Sequence, residues 1–195
     1  MHDVIQQGVQ ALATQNTVTR EMAVLCASVV IVLLAAAWLV VALRHRRTLT
    51  LAATARIVAL AVLALLLAKV SSHVINDPRP YLVDHVAPLT PLSRDNGFPS
   101  DHTLLAAVLA ASLWWIDRRL IVAFAVGVVL VMLGRLGVGA HHTIDVLGSV
   151  AITLVAAFIV RALPVPAPWD RPLLPALRRA SMAAVRPIVR RDPSA

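Results

Sequence analysis

LIVAFAVGVVLVMLGRLGVGAHHTIDVLGSVAITLVAAFIVRAL, residues 120–163, decides the fold. Two apolar runs, Leu120 to Leu133 and Thr143 to Leu163, flank Arg135, His141, His142 and Asp145. A run apolar on every side is a buried or membrane-crossing helix, because no face of it is left for water. The polar residues between the runs then lie at the mouth of a membrane helix, where ionisable side chains are costly and functional by default.

The rest of the chain has the same character. Of 195 residues, 59% are hydrophobic and only 14% charged, which excludes disorder and is too apolar for a soluble domain of this length. A segment in hydrocarbon must satisfy its own backbone hydrogen bonds, so the expected fold is an all-α integral membrane bundle. Five spans are expected: Ala23–Leu43, Leu51–Val70, Thr103–Ile116, Leu120–Leu133 and Thr143–Leu163. The third and fourth are short for a ~20-residue crossing and read as a tight hairpin joined by Asp117, Arg118 and Arg119. Ahead of them, residues 1–20 place Val4, Ile5, Val9 and Leu12 near one helical face, the pattern of an amphipathic interfacial helix. They lack the charged start and short apolar core of a cleavable signal peptide. Residues 21–163 form the expected membrane domain. Residues 164–195 form a basic, proline-broken tail expected at the cytoplasmic surface, with a short surface helix over Leu173–Arg191 interrupted by Pro187.

The net charge of +8 does not point to nucleic acid, because the arginines cluster beside the apolar runs and in the tail. Arg44, Arg46, Arg47, Arg56, Arg118, Arg119 and the seven arginines from Arg161 to Arg191 fall on one side of the five-span arrangement. The positive-inside rule makes that side the cytoplasm, with the N-terminus outside and the C-terminus inside. The single Cys26 lies within the first run, where it forms no internal disulfide and says nothing of compartment.

Three polar clusters, KVSSHVINDPRPY (69–81), RDNGFPSDHT (94–103) and GRLGVGAHHTID (134–145), then meet at the outer face. In the last, Asp145 follows His141 by four residues, so on a helix the carboxylate would fix the imidazole's tautomer and raise its basicity. The free ring nitrogen could then attack phosphorus, with Arg135 forking onto phosphate oxygens. Gly134, Gly137 and Gly139 would let the backbone approach such a ligand. Two other readings stand beside this one: a solvated histidine pair, and a metal site from His141, His142 and Asp145 that lacks a further ligand. In the second cluster, Ser100 or Asp101 suits the N-cap of the third span, and His102 suits a proton donor. The first cluster supplies Lys69, the only lysine, and Arg79 held between two prolines.

Together the clusters resemble the signature of the type 2 phosphatidic acid phosphatase superfamily. Its lysine and arginine-proline correspond to Lys69 and Arg79-Pro80. Its proline-serine-glycine-histidine corresponds to Pro99-Ser100-Asp101-His102. Its arginine, histidine and aspartate correspond to Arg135, His141 and Asp145, a spacing that selects His141 over His142. The phrase DNGFPSDHT is similar to the bacitracin-resistance type of undecaprenyl-diphosphate phosphatase. Departures are a lysine one helical turn early (the usual position is Ser72), Gly134 where a serine commonly stands, and a first helix, of the common six, that is only the short amphipathic segment.

The resemblance implies a phosphatase that needs no metal or other cofactor and works in two steps. His141 would be the nucleophile, His102 the general acid and then base, and Asp145 the orienter. Lys69, Arg79, Ser100 and Arg135 would bind the phosphate. It also implies a lipid substrate in a bacterial cytoplasmic membrane, first undecaprenyl diphosphate, second phosphatidylglycerol phosphate or phosphatidic acid. The partners expected are thus membrane lipids and no nucleic acid. A transporter or binding-only protein is the rival class, but transporters tend to place polar groups at the bilayer midplane between repeats, and neither feature is visible here.

Overall fold

The computed structural model describes residues 3–83, 87–92 and 94–172, and the expected surface helix of the tail lies outside them. The protein is an all-helical integral membrane protein. Its helices are α1 (Val4–Ala13), α2 (Thr17–His45), α3 (Leu51–Val74), the single turn α4 (Pro80–Val83), α5 (Asp101–Ser112), α6 (Ile121–Gly137) and α7 (Thr143–Ala162). Among the described residues, four segments are long and apolar enough to cross a membrane: Thr17–His45, Leu51–Val74, Arg118–Gly137 and Thr143–Ala162.

The third expected span is shorter than a crossing helix. α5 has 12 residues, and a 3₁₀ turn over Leu113–Trp115 extends it. It packs against α2, α3, α6 and α7, burying Thr103, Leu104, Ala106, Ala107 and Ala110. A helix enclosed by its neighbours need not match the hydrocarbon thickness by itself. Its core partners are Ile31 and Leu34 of α2, Phe124, Val128 and Val131 of α6, and Leu60 and Ala64 of α3. Trp38 on α2 donates its indole N–H to Ser112 Oγ at 2.7 Å, satisfying a polar tip inside this apolar packing.

Local capping sets the helix starts. Asn16 Oδ1 accepts from Thr19 N–H while Thr19 Oγ1 accepts from Asn16 N–H, a reciprocal box at the start of α2. Thr50 caps α3 through Ala53 N–H. α1 turns its amide side chains inward: Gln6 and Gln10 are buried and bond each other at 2.7 Å, while Val4, Ile5 and Leu12 face outward. That is the orientation of an amphipathic helix whose apolar face meets lipid rather than core.

The closest helix packing joins α2 to α6. A Cβ on Gly134 would come within 2.3 Å of Ala27 N and 2.5 Å of the Cys26 carbonyl carbon. Small residues at such crossings let membrane helices approach through their backbones. A serine at this position has no room. Gly137 likewise faces the Ala13 and Ala23 methyls, and Gly139, at φ +74°, faces the Gln10 amide. The expectation that these three glycines open the backbone to a ligand is therefore corrected: they admit neighbouring helices.

The two ends of the bundle differ. At one, the guanidinium groups of Arg118 and Arg161 lie against the Trp114 ring, 4.2 and 4.5 Å from its centre. At the other, the C-terminal ends of α3 and α6 meet the N-terminal ends of α5 and α7 and all three polar clusters.

Candidate active site

Loop 94–100 holds the site together. Asn96 Nδ2 donates to Ser72 O and Ile75 O beyond α3, and its Oδ1 accepts from Asp77 N–H and Phe98 N–H. Gly97 N–H donates to Asp77 O at 2.8 Å. A Cβ on Gly97 would lie 2.9 Å from that oxygen and 3.1 Å from Asp145 Oδ2, so a glycine is required. The Phe98 ring rests where a side chain on Gly148 of α7 would be, docking the loop one turn past Asp145.

His141 is buried, and its Nδ1 lies 2.9 Å from Gly97 O and 3.3 Å from Asp145 Oδ2. Gly97 O only accepts, so Nδ1 carries the proton and Nε2 keeps its lone pair. That Nε2 is 3.4 Å from both Arg79 Nη1 and Arg135 Nη2. Burial, then the charges of Arg135 and Arg79, hold the His141 pKa down to about 3. The expected rise in basicity from Asp145 is thus outweighed, and the imidazole is neutral at physiological pH.

Both arginines are nearly buried. Arg79 is braced by Asp95, whose Oδ1 accepts from Nη2 at 2.8 Å and Nε at 3.2 Å, and by Ala140 O at 3.2 Å. Arg135 Nε donates no hydrogen bond among the described residues. Two buried guanidinium groups converging on one imidazole nitrogen form a site for an anion with several oxygens.

Ser100 is fully buried at the N-cap position of α5, yet its hydroxyl makes no capping bond and accepts from Thr103 Oγ1 at 3.2 Å. His102 is half-buried on the first turn of α5. Asp145 also accepts from His142 N–H at 2.9 Å, which fixes the start of α7. His142 turns away from His141 and places Nδ1 2.9 Å from Asp77 Oδ2. Lys69 is exposed on α3, where its carbonyl accepts from Ser72 Oγ and His73 Nδ1. Among the described residues, its ammonium makes no hydrogen bond or ion pair with the cluster formed by the others.

Sequence reading missed Asp95, Asn96, Gly97 O and Asp77. Asp95 to Gly97 stand in the quoted DNGFPSDHT, and Asp77 stands two residues before Arg79, but nothing in the spacing shows what they bond. It also missed Asp3, whose carboxylate accepts from Gln6 N–H on α1 and from both Thr143 N–H and Thr143 Oγ1 on α7.

Residues 52–168, which hold every one of these clustered residues except Asp3, match the PAP2 superfamily. The chain belongs to that superfamily. Undecaprenyl-diphosphatase BcrC of Bacillus subtilis (strain 168) is 31% identical over 83 residues, 43% of this chain and 43% of that protein. The chain thus matches less than half the length of this curated relative. The crystal structure of Aquifex aeolicus LpxE superimposes with a TM-score of 0.60 over 82% of this chain and 94% of that one, at 18% identity, so it shares the fold.

Proposed function

We propose that the protein is a lipid phosphate phosphatase that forms a phosphohistidine on His141 and acts on undecaprenyl diphosphate at the outer face of a bacterial cytoplasmic membrane. The observation that carries the reading is the His141 Nε2 lone pair, held 3.4 Å from a nitrogen of each guanidinium. In the first step Nε2 attacks the terminal phosphorus, the bond to the bridging oxygen breaks, and His102 protonates that oxygen as it leaves. Arg79, Arg135 and the Ser100 hydroxyl stabilise charge on the three phosphoryl oxygens. The phosphohistidine ring still carries its Nδ1 proton and is imidazolium-like, which suits the Gly97 carbonyl and the Asp145 carboxylate beside it. In the second step His102 takes a proton from water, the water oxygen attacks phosphorus, and the P–N bond breaks to release phosphate.

The arginines supply the positive charge a metal would otherwise bring, so the reaction proceeds without one. Lys69 is exposed and stands outside this clamp.

A lipid leaving group suits the setting. A cavity of about 370 Å³ lined by His102, Asp101 and Leu105 of α5 with Ile31, Val32 and Ala35 of α2 leads from the proton donor along the apolar bundle. The name of the BcrC relative supports the diphosphate substrate. The arginine-rich end supports, by the positive-inside rule, a site and N-terminus at the outer face.

The test is phosphate release from undecaprenyl diphosphate in detergent with excess chelator, wild type beside His141→Ala. Release by wild type that vanishes in the variant is the expected result, and release that needs a metal and survives His141→Ala would refute the mechanism. Turnover of phosphatidylglycerol phosphate or phosphatidic acid alone would replace the substrate and keep the chemistry.

A further inference from the structure

Asp145 has a second feature that orienting His141 does not explain. Its side chain is fully buried, and while Oδ2 serves His141 and His142, Oδ1 accepts no hydrogen bond among the described residues. A buried carboxylate oxygen left unpaired is costly. The carboxylates of Asp145 and Asp77 stand within hydrogen-bonding reach of each other, and two ionised carboxylates in contact need a cation or a shared proton between them. His142 Nδ1 is 2.9 Å from Asp77 Oδ2. One ligand atom from each of Asp77, His142 and Asp145 lies within 4.8 Å of the others. In a tetrahedral zinc site the ligand atoms are about 3.3 Å apart, so the 2.9 Å pair opens slightly and any wider pair closes by about 1.5 Å at most.

We propose that Asp77, His142 and Asp145 form an inhibitory site for a divalent transition cation of the zinc type. Two carboxylates and an imidazole favour zinc over magnesium, which prefers an all-oxygen octahedron. A cavity of about 670 Å³ lined by Asp3, Asp77, His142 and Thr143 gives the ion a path and leaves water for the remaining position. Ligation would draw the Asp145 carboxylate away from His141 Nδ1. The inhibition, though not the binding, rests on the role proposed above for His141.

Binding is measured on the purified full-length protein in detergent, with Co²⁺ followed by its visible absorption and Zn²⁺ by calorimetry. The expected result is one site per chain, weakened in both Asp77→Asn and His142→Gln by more than the roughly 10–100-fold that loss of a supporting partner costs. His141→Ala should bind as wild type does. Asp77→Cys keeps a ligand at that position and should add a cobalt–thiolate charge-transfer band absent from wild type, which tests ligation directly even if the other variants fold poorly. Zn²⁺ should abolish phosphate release by wild type, reversibly by chelator, and Mg²⁺ at the same concentration should not. Whatever phosphate release Asp77→Asn and His142→Gln retain should resist Zn²⁺. Binding unchanged in both variants, or lost in His141→Ala, would overturn the site. Binding without inhibition would overturn the inhibitory role. A wild type that hydrolyses no lipid phosphate would defeat the catalytic reading, and the cobalt experiment would then decide the site alone.

Discussion

Gly134→Ala should damage both stability and catalysis, and the structure sets the scale. The added Cβ would lie 2.3 Å from Ala27 N, 2.5 Å from the Cys26 carbonyl carbon and 2.8 Å from Ala27 Cα. Comfortable contact for such atoms is about 3.5 Å, so α2 and α6 must separate by about 1 Å. Overpacking of this kind costs about 1–3 kcal/mol, here at a crossing held by close backbone packing. Arg135 is the next residue, and a shift of about 1 Å in a group that positions substrate lowers turnover by about 10²-fold. Because the atoms met are all main-chain, Ala27→Gly cannot relieve the clash. Gly127→Ala provides the contrast. There the obstacle is the end of the Leu34 side chain, with Cδ2 at 2.6 Å, so adding Leu34→Ala should restore much of what is lost. Gly8→Ala, with nothing within 4 Å, is the neutral control. Thermal melting in detergent and phosphate release, measured on all four single variants and the double variant, decide the matter. Gly134→Ala as stable and active as Gly8→Ala would refute the packing argument.

His102→Ala should lower kcat by the roughly 10²–10⁴-fold typical of a lost general acid, and a weakly basic leaving group such as p-nitrophenolate should recover part of the rate. Arg79→Gln should cost about 10²–10³-fold in kcat, as loss of one charge-stabilising donor does; an effect confined to KM would place the guanidinium in ground-state binding only. Lys69→Ala should keep most wild-type activity, and a loss matching that of Arg79→Gln would return the lysine to the phosphate clamp. Folding holds His141 neutral down to pH about 3, against 6.5 for the ordinary imidazole. The unfolded chain therefore binds the extra proton between those values, so His141 contributes stability in full above pH ~6.5 and loses it as pH falls toward 3. His141→Asn should flatten that part of the melting-temperature profile, and an unchanged slope would show that the acid limb belongs to other groups.

The membrane class and four crossing helices were legible because uniform apolar runs have one solution in hydrocarbon. α5 was less so. Its central position lets it be short, and apolar composition carries no record of which helix is surrounded. Arg135, His141 and Asp145 were singled out through the spacing of the family resemblance, because the four-residue step to Asp145 did not by itself exclude His142. The same spacing misled about basicity, because burial is the main cause of the lowered His141 pKa and residue spacing carries no record of burial, while the Arg79 guanidinium adds its charge from a segment 62 residues away. The glycines misled for a related reason: sequence shows that a backbone can be approached, but only the packing of α2 shows by what.

Gly97 shows why the rest stayed hidden. Its N–H holds Asp77 O, its carbonyl sets the His141 tautomer, and a side chain there would strike both Asp77 O and Asp145 Oδ2. None of these bonds involves a side chain of residue 97, so nothing about its chemistry could be read from residue type. The protonation of His141, the proposed nucleophile, is thus set by a main-chain carbonyl on a loop that Asn96 ties to the end of α3. Arg79 leaves the chain from that same junction. A shift of loop 94–100 would therefore move the tautomer-setting acceptor and the guanidinium brace at Asp95 together, so that the proposed nucleophile and the proposed clamp are assembled, or lost, as one unit.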